Sequence, residues 1–194
     1  MATKPTNSQV HQPKVDLERV EWLTRELIIA IGEDPDREAL IGTPDRVARH
    51  WRDFIEYDAG KTETLFASVE ADQMIVVSGL RVWSLCEHHM LPFWCDISIG
   101  YIPDKHVLGL SKFARIAHKF AHRLQIQEQL VQQIADEISE ITGSSDVAVT
   151  ASGVHLCMVM RGIKTQGDFR SSIMRGAFRE NQETRKEFFD LVQK

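Results

Sequence analysis

Two short stretches of this chain carry residues that could bind a metal. Cys86 and His89 stand in Cys86-Glu87-His88-His89, a C-x-x-H spacing that lets one turn aim a thiol and an imidazole at one point. Cys157, in His155-Leu156-Cys157, can bring a second thiol from far along the chain. Two thiolates and an imidazole suit zinc, which takes soft sulfur and borderline nitrogen donors in a tetrahedron. Structural zinc sites usually use four protein ligands, whereas catalytic ones use three and leave a place for water. Cys86, His89 and Cys157 make three, with no fourth cysteine near them, so the set reads as catalytic zinc. A C-x-x-H alone often matches by chance, and many cysteines are only small buried hydrophobes. The second segment and its neighbours are what strengthen the pattern. Cys95 lies in a strand-like stretch and reads as core.

The 194 residues allow one substantial domain with a helical extension. A hydrophobic content of 43% and a charged content of 26% are ordinary for a globular protein. No apolar run approaches the ~20 residues of a membrane helix. Residues 1–14 are polar, carry Pro5 and Pro13, and lack the apolar core of a signal peptide. They read as a disordered tail on a cytoplasmic protein. Three cysteines, an odd number, make no disulfide framework. The net charge of -5 argues against a nucleic-acid surface as the main role. It leaves room for a small anion, because screening over ~8 Å lets a local basic pocket outweigh the total.

The elements that would position these residues follow from periodicity. Val15 to Ile31 reads as an amphipathic helix with Val20, Leu23, Leu27 and Ile31 on its buried stripe. Thr43-Pro44 opens a second helix, with Thr43 as N-cap and with Val47, Trp51, Phe54 and Ile55 inward. Gln73–Trp83 and Trp94–Ile102 read as two antiparallel strands with the Cys86 motif in their connection. In the second of them Cys95, Ile97, Ile99 and Tyr101 share a face. Two helices come next. The first has Ser111 as N-cap and an apolar stripe from Phe113 to Leu124; the second spans Ile126–Ile141. Lys112 and Arg115 lie off that stripe near the helix start, where free N–H groups and the dipole favour anions. An ordinary exposed basic face is the plainer reading of the pair. Asp146–Ala151 and Val154–Gly162 read as two more strands, the latter placing His155, Cys157, Val159 and Arg161 on one face. At ~3.3 Å per residue, Arg161 would then lie ~13 Å from Cys157, a span for a ligand with an anionic tail. Thr165–Met174 reads as a polar loop or edge strand, and Asn181 caps a last helix burying Phe188, Phe189 and Val192.

Together these residues resemble the GTP cyclohydrolase I family. The matching motifs are Thr43-Pro44-Asp45-Arg46, Cys86-Glu87-His88-His89, Gly100-Tyr101-Ile102-Pro103, Gly109-Leu110-Ser111-Lys112, Gln125-Ile126-Gln127-Glu128 and His155-Leu156-Cys157 running on to Arg161-Gly162. The resemblance implies an α+β T-fold: an antiparallel four-stranded sheet with two helices inserted between strands 2 and 3. It also implies sheets closing into a pentameric barrel, with two rings stacked as a homodecamer. Residues 15–60 would form an N-terminal helical extension and 61–194 the catalytic domain. The implied reaction turns GTP and water into 7,8-dihydroneopterin triphosphate and formate. Cys86, His89 and Cys157 would hold zinc. His88 and His155 would move protons, with Ser111 beside them in the catalytic set. Glu128 and Gln127 would meet the guanine, and Lys112, Arg115, Arg161 and Arg46, with Ser111, the triphosphate and ribose. Glu87 would orient the metal turn.

One stretch departs from the family pattern. A threonine-rich run is expected before Gly176, and here the chain reads Phe169-Arg170-Ser171-Ser172-Ile173-Met174-Arg175. That touches subunit contacts or regulation rather than the zinc chemistry. Three other readings compete. A pterin aldolase or deazaguanine nitrile reductase on the same fold would not need the two cysteines and His89. A non-catalytic binding protein would lack His88 and His155. A zinc nucleobase deaminase would carry H-x-E and P-C-x-x-C, which are missing.

Overall fold

The computed structural model describes residues 14–67 and 73–193. The expected tail, apart from Lys14, lies outside the described residues. The chain divides into two compact units after Tyr57.

In the first unit, α1 (Leu17–Ala30) begins at Asp16, whose carboxylate accepts from Arg19 N. The stripe expected on this helix is not buried. Leu23, Leu27 and Ile31 are exposed, and Ile28 is the buried residue. The helix α2 (Thr43–Ile55) starts one residue earlier than expected, with Gly42 at its N-cap and Thr43 already in the first turn. The Thr43 hydroxyl accepts from Arg46 Nη2 at 2.9 Å and caps no backbone N–H. Val47, Trp51, Phe54 and Ile55 are half-buried.

The second unit is built on one sheet. After β1 (Leu65–Ala67) come β2 (Ile75–Cys86) and β3 (Pro92–Tyr101), joined by the turn that carries His88 and His89. A short β4 (His106–Leu108) pairs with β1. The helix α3 (Leu110–Ala121), the two-residue β5 (Leu124–Gln125) and the helix α4 (Gln127–Thr142) follow. The chain returns through β6 (Val147–His155), a helical turn α5 (Leu156–Val159) and β7 (Phe169–Met174). It ends with α6 (Ala177–Glu180) and α7 (Gln182–Val192). The sheet order is β5-β2-β3-β6-β7. Its four long strands pair antiparallel, and α3 and α4 are inserted between the second and third of them, the T-fold arrangement.

Strict alternation makes β3 the centre of the core. Cys95, Ile97, Ile99 and Tyr101 are wholly buried on the face that meets Phe113, Ile116 and Ala117 of α3 and Leu130, Ile134 and Ile138 of α4. Burial of each large aliphatic side chain stabilises the fold by about 1.5–3 kcal/mol. The other face packs Phe178 and Phe188. Gly100 is needed there, since a Cβ on it would come within 2.6 Å of the Phe188 ring. Asn181 caps α7 as expected, accepting from Glu183 N and Thr184 N.

Three expectations need correction. Val154–Gly162 is not a strand: β6 runs unbroken to His155 and the backbone then turns helical from Leu156. The common face of His155, Cys157, Val159 and Arg161, and the extended spacing of Cys157 from Arg161, go with it. The fourth strand is instead β7, an edge strand, which is one of the two readings given to Thr165–Met174. On α3 the N-cap is Gly109, not Ser111, with no side-chain cap, and the helix stops at Ala121, leaving Leu124 exposed in β5.

Candidate functional site

The sheet register brings the two distant motifs together. Cys86 is the last residue of β2, and Phe93 of β3 lies opposite His155 at the end of β6. The helical turn after His155 then carries Cys157 back over the strand ends. Cys157 Sγ lies 3.8 Å from Cys86 Sγ, and a nitrogen of His155 completes a set whose atoms all lie within 4.8 Å of one another. Two sulfurs bound tetrahedrally to one zinc at ~2.3 Å each stand ~3.8 Å apart, so the thiol spacing fits that ion. Among the described residues this is the one group of three side chains spaced to hold a metal.

The electrostatics agree. Burial first, and the neighbouring Cys86 thiol next, push the Cys157 thiol above its ordinary pKa, while Arg161 acts the other way. A divalent cation bound here would favour the thiolate of Cys157 against that effect of burial. Cys95 is no competitor. It points into the core, where burial pushes its thiol up to about 12.

The other expected residues fall into three groups. On the turn, His88 and His89 are exposed. His88 Nδ1 lies 3.6 Å from Cys86 Sγ, and Arg161 donates from Nη1 to His89 Nε2 at 2.5 Å. The turn is closed by His89 N and Met90 N donating to Cys86 O, and Glu87 N donates to Gln125 O. At the end of β6, His155 is half-buried and its Nε2 lies 3.2 Å from Gln127 Oε1. Burial lowers the His155 pKa below the ordinary value, against a smaller raising effect from Glu128, so the ring is neutral at pH 7. Glu128 itself is exposed in the first turn of α4.

The third group lies at the start of α3. Ser111 is exposed, and Lys112 donates from Nζ to Lys61 O at 3.0 Å. The Arg115 guanidinium lies against Gly60, where a Cβ would come within 2.2 Å of Nη1. The segment before β1 is held further by Thr62, whose hydroxyl donates to buried Glu137; Lys119 Nζ donates to both Glu137 oxygens at 2.7 Å. Arg46 lies in the first unit, bonded to Thr43 and to Ala39 O.

Two aromatic contacts to the site were not expected from the sequence, one from Phe93 and one from Phe169, which the sequence showed only as a departure from the family pattern. Phe93 stacks on the His155 ring at 4.4 Å and 5°, and Phe169 meets it edge-on at 5.5 Å and 89°. Only the register, Phe93 opposite His155 and Phe169 opposite Gly153, could have found them.

Two thiols at this spacing on a sheet of this topology define a zinc enzyme of the T-fold class. The chain belongs to the GTP cyclohydrolase I family, whose sequence profile matches residues 20–193. It is 46% identical to GTP cyclohydrolase 1 of Deinococcus radiodurans over 181 residues, covering 90% of this chain and 83% of that one. It is 44% identical to GTP cyclohydrolase 1 of Hyperthermus butylicus over 180 residues, covering 92% of each. A solved structure of the archaeosine synthase QueF-Like superposes with a TM-score of 0.43 and 16% identity, over 53% of this chain and 95% of its own. That likeness is too distant to bear on the chemistry.

Proposed function

We infer that this chain is a zinc-dependent GTP cyclohydrolase I, converting GTP and water to 7,8-dihydroneopterin triphosphate and formate. The observation that carries the reading is the Cys86–Cys157 pair at zinc spacing beside a neutral imidazole, in a chain of this family. Zinc, when bound, supplies a Lewis acid that lowers the pKa of water toward ~7.

Cys86, His89 and Cys157 would hold the ion, which leaves His155 for chemistry. His155, neutral at pH 7, accepts a proton as water adds to C8 of the guanine and returns it to the ring nitrogen as the C8–N bond breaks. A second water then hydrolyses the resulting formamide to release formate, and closing the pterin ring gives one water back. His88 is the second proton carrier, on the exposed side. The Glu128 carboxylate accepts from the guanine N1–H and 2-amino group, a two-donor edge matched to two oxygens. Ser111, Lys112 and Arg115 receive the triphosphate at the start of α3, and Arg161 serves the same anionic end.

A second ligand set has its own support. It is His155 that lies with both thiols, while the Nε2 of His89 is engaged by Arg161. Zinc content of two folded variants separates the sets. Under the first, His89→Ala loses zinc while His155→Ala keeps about one ion per chain and loses ~10²- to 10⁴-fold in kcat. Under the second, His155→Ala loses zinc and His89→Ala keeps it. Formate and pterin absorbance from GTP test the activity itself, and absence of both from the zinc-loaded protein sinks it.

We further propose that the protein assembles as a homodecamer of two pentameric rings, with the sheets closing into a barrel. In support, no strand among the described residues pairs with the outer edge of β7, or with β2 before Leu85. The exposed Leu23, Leu27 and Ile31 of α1 also call for cover. A monomer by light scattering contradicts it. No helix among the described residues is long and apolar enough to cross a membrane. A cytoplasmic location fits a site of reduced thiols and a nucleoside triphosphate substrate.

A further inference from the structure

Gln127 opens α4 with a side chain shut off from solvent. Its Nε2 donates to Ala151 O at 3.2 Å, to Phe169 O at 3.1 Å and to Ser171 Oγ at 3.1 Å. A backbone carbonyl only accepts, so the amide nitrogen must be the atom that faces Ala151 and Phe169. The flipped amide would aim its oxygen at two other oxygens. That leaves Oε1 facing His155 Nε2 at 3.2 Å. An amide oxygen also only accepts, so this contact requires the proton on His155 Nε2 and puts the lone pair of a singly protonated ring on Nδ1. Phe93 and Phe169 hold the plane of the ring, and Gln127 decides which of its nitrogens is basic.

We propose that Gln127 is a positioning residue that acts through His155. It selects the Nε2-protonated tautomer and leaves Nδ1 to exchange a proton with the substrate. The proposal rests on the reading of His155 as the proton-transfer residue. It moves Gln127 away from the guanine contact that the family resemblance implies, because the amide is used up inside the wall. Ser171 gains a role as well. It belongs to the stretch that departs from the family pattern, and its hydroxyl helps to hold the amide.

A double-mutant cycle on the zinc-loaded protein tests this, reading kcat, KM for GTP and zinc per chain. Gln127→Met keeps the side chain's length and removes the strong acceptor. Its kcat should fall about 10- to 100-fold, as for other orienting partners of site histidines, with KM and zinc unchanged. Added to His155→Ala, it should cost less than about two-fold more, since a residue acting through His155 has nothing left to act on. Loss by its full factor in both backgrounds overturns the proposal, as does a raised KM at unchanged kcat, the mark of guanine contact. Where Gln127→Met does not fold, Ser171→Ala carries the same cycle. A loss of about two- to five-fold is expected with His155 present and none without it; equal losses in both overturn the proposal. Full kcat in His155→Ala alone removes the underlying reading and this inference together. A slow His155→Ala with independent Gln127 effects removes only the inference.

Discussion

On one side of the thiol pair, the turn from Cys86 to Met90 leaves His88 and His89 exposed and is closed by two backbone bonds to Cys86 O. On the other side, His155 lies between two aromatic rings with Gln127 against its Nε2. The turn is fixed through its backbone, and its imidazoles, though exposed, are held by single polar contacts, His88 to Cys86 Sγ and His89 to Arg161. The wall is complete before any ligand arrives, because packing and hydrogen bonding already fix each group. A site made this way can adjust to its metal on one side while holding an acid–base group still on the other. Pre-formed geometry is where enzymes gain much of their rate.

The largest effect should come from breaking what the two sides share. Cys157→Ser removes a thiolate ligand, and GTP turnover should fall below detection with zinc lost from the folded protein. A metal assay alongside formate release checks it, and a metal-free preparation with full turnover contradicts it.

Next comes the edge of the wall. Glu128→Ala leaves the two guanine donors without their acceptor, and GTP binding should weaken about 10- to 100-fold while zinc stays. Calorimetric titration with GTP measures this, and unchanged affinity assigns the base to another residue.

The wall also predicts a pH dependence. Burial holds the pKa of His155, and separately that of His118 in the last turn of α3, below the ordinary imidazole value. The unfolded chain therefore binds protons that the folded chain refuses. Stability of the metal-free protein should fall as pH drops below about 6.5, the unfolded imidazole value, and stop falling once the lowered folded pKa values are passed. Urea melts between pH 5 and 8 show this, and a flat profile contradicts it.

The smallest effect sharpens the contrast between site thiols and core thiol. Cys95→Ala should cost about 1 kcal/mol of stability and leave zinc and turnover unchanged. Loss of zinc from that variant would place Cys95 in the site after all.

Much of this was legible in the chain. The alternation of Cys95, Ile97, Ile99 and Tyr101 gave a core strand, and the stripe from Phe113 to Leu124 gave a helix on it, read too far since the helix ends at Ala121. The C-x-x-H turn between two β-rich runs located Cys86, one of the three residues of the cluster. The switch at His155 was not legible, because Leu156-Cys157-Met158-Val159 is one apolar helical turn, too short to show a period of 3.6. The exposed stripe of α1 misled for another reason: a pattern says that a face is apolar, not what covers it. The link from Gln127 to His155 spans 28 positions and follows from register alone.

The β3–β6 register has a consequence for how the chain acquires its metal. Cys86 and Cys157 are 71 positions apart, and the pairing of Phe93 with His155 is what carries one to the other. Until those strands zip, the chain offers two partial ligand sets, one around Cys86 and one around Cys157, each a poorer trap for zinc than the two together. Contacts of such long sequence separation form slowly, since loop closure comes before their reward. Tight zinc capture therefore follows sheet formation. The appearance of bound zinc in a refolding experiment marks the moment when the middle of the sheet has closed.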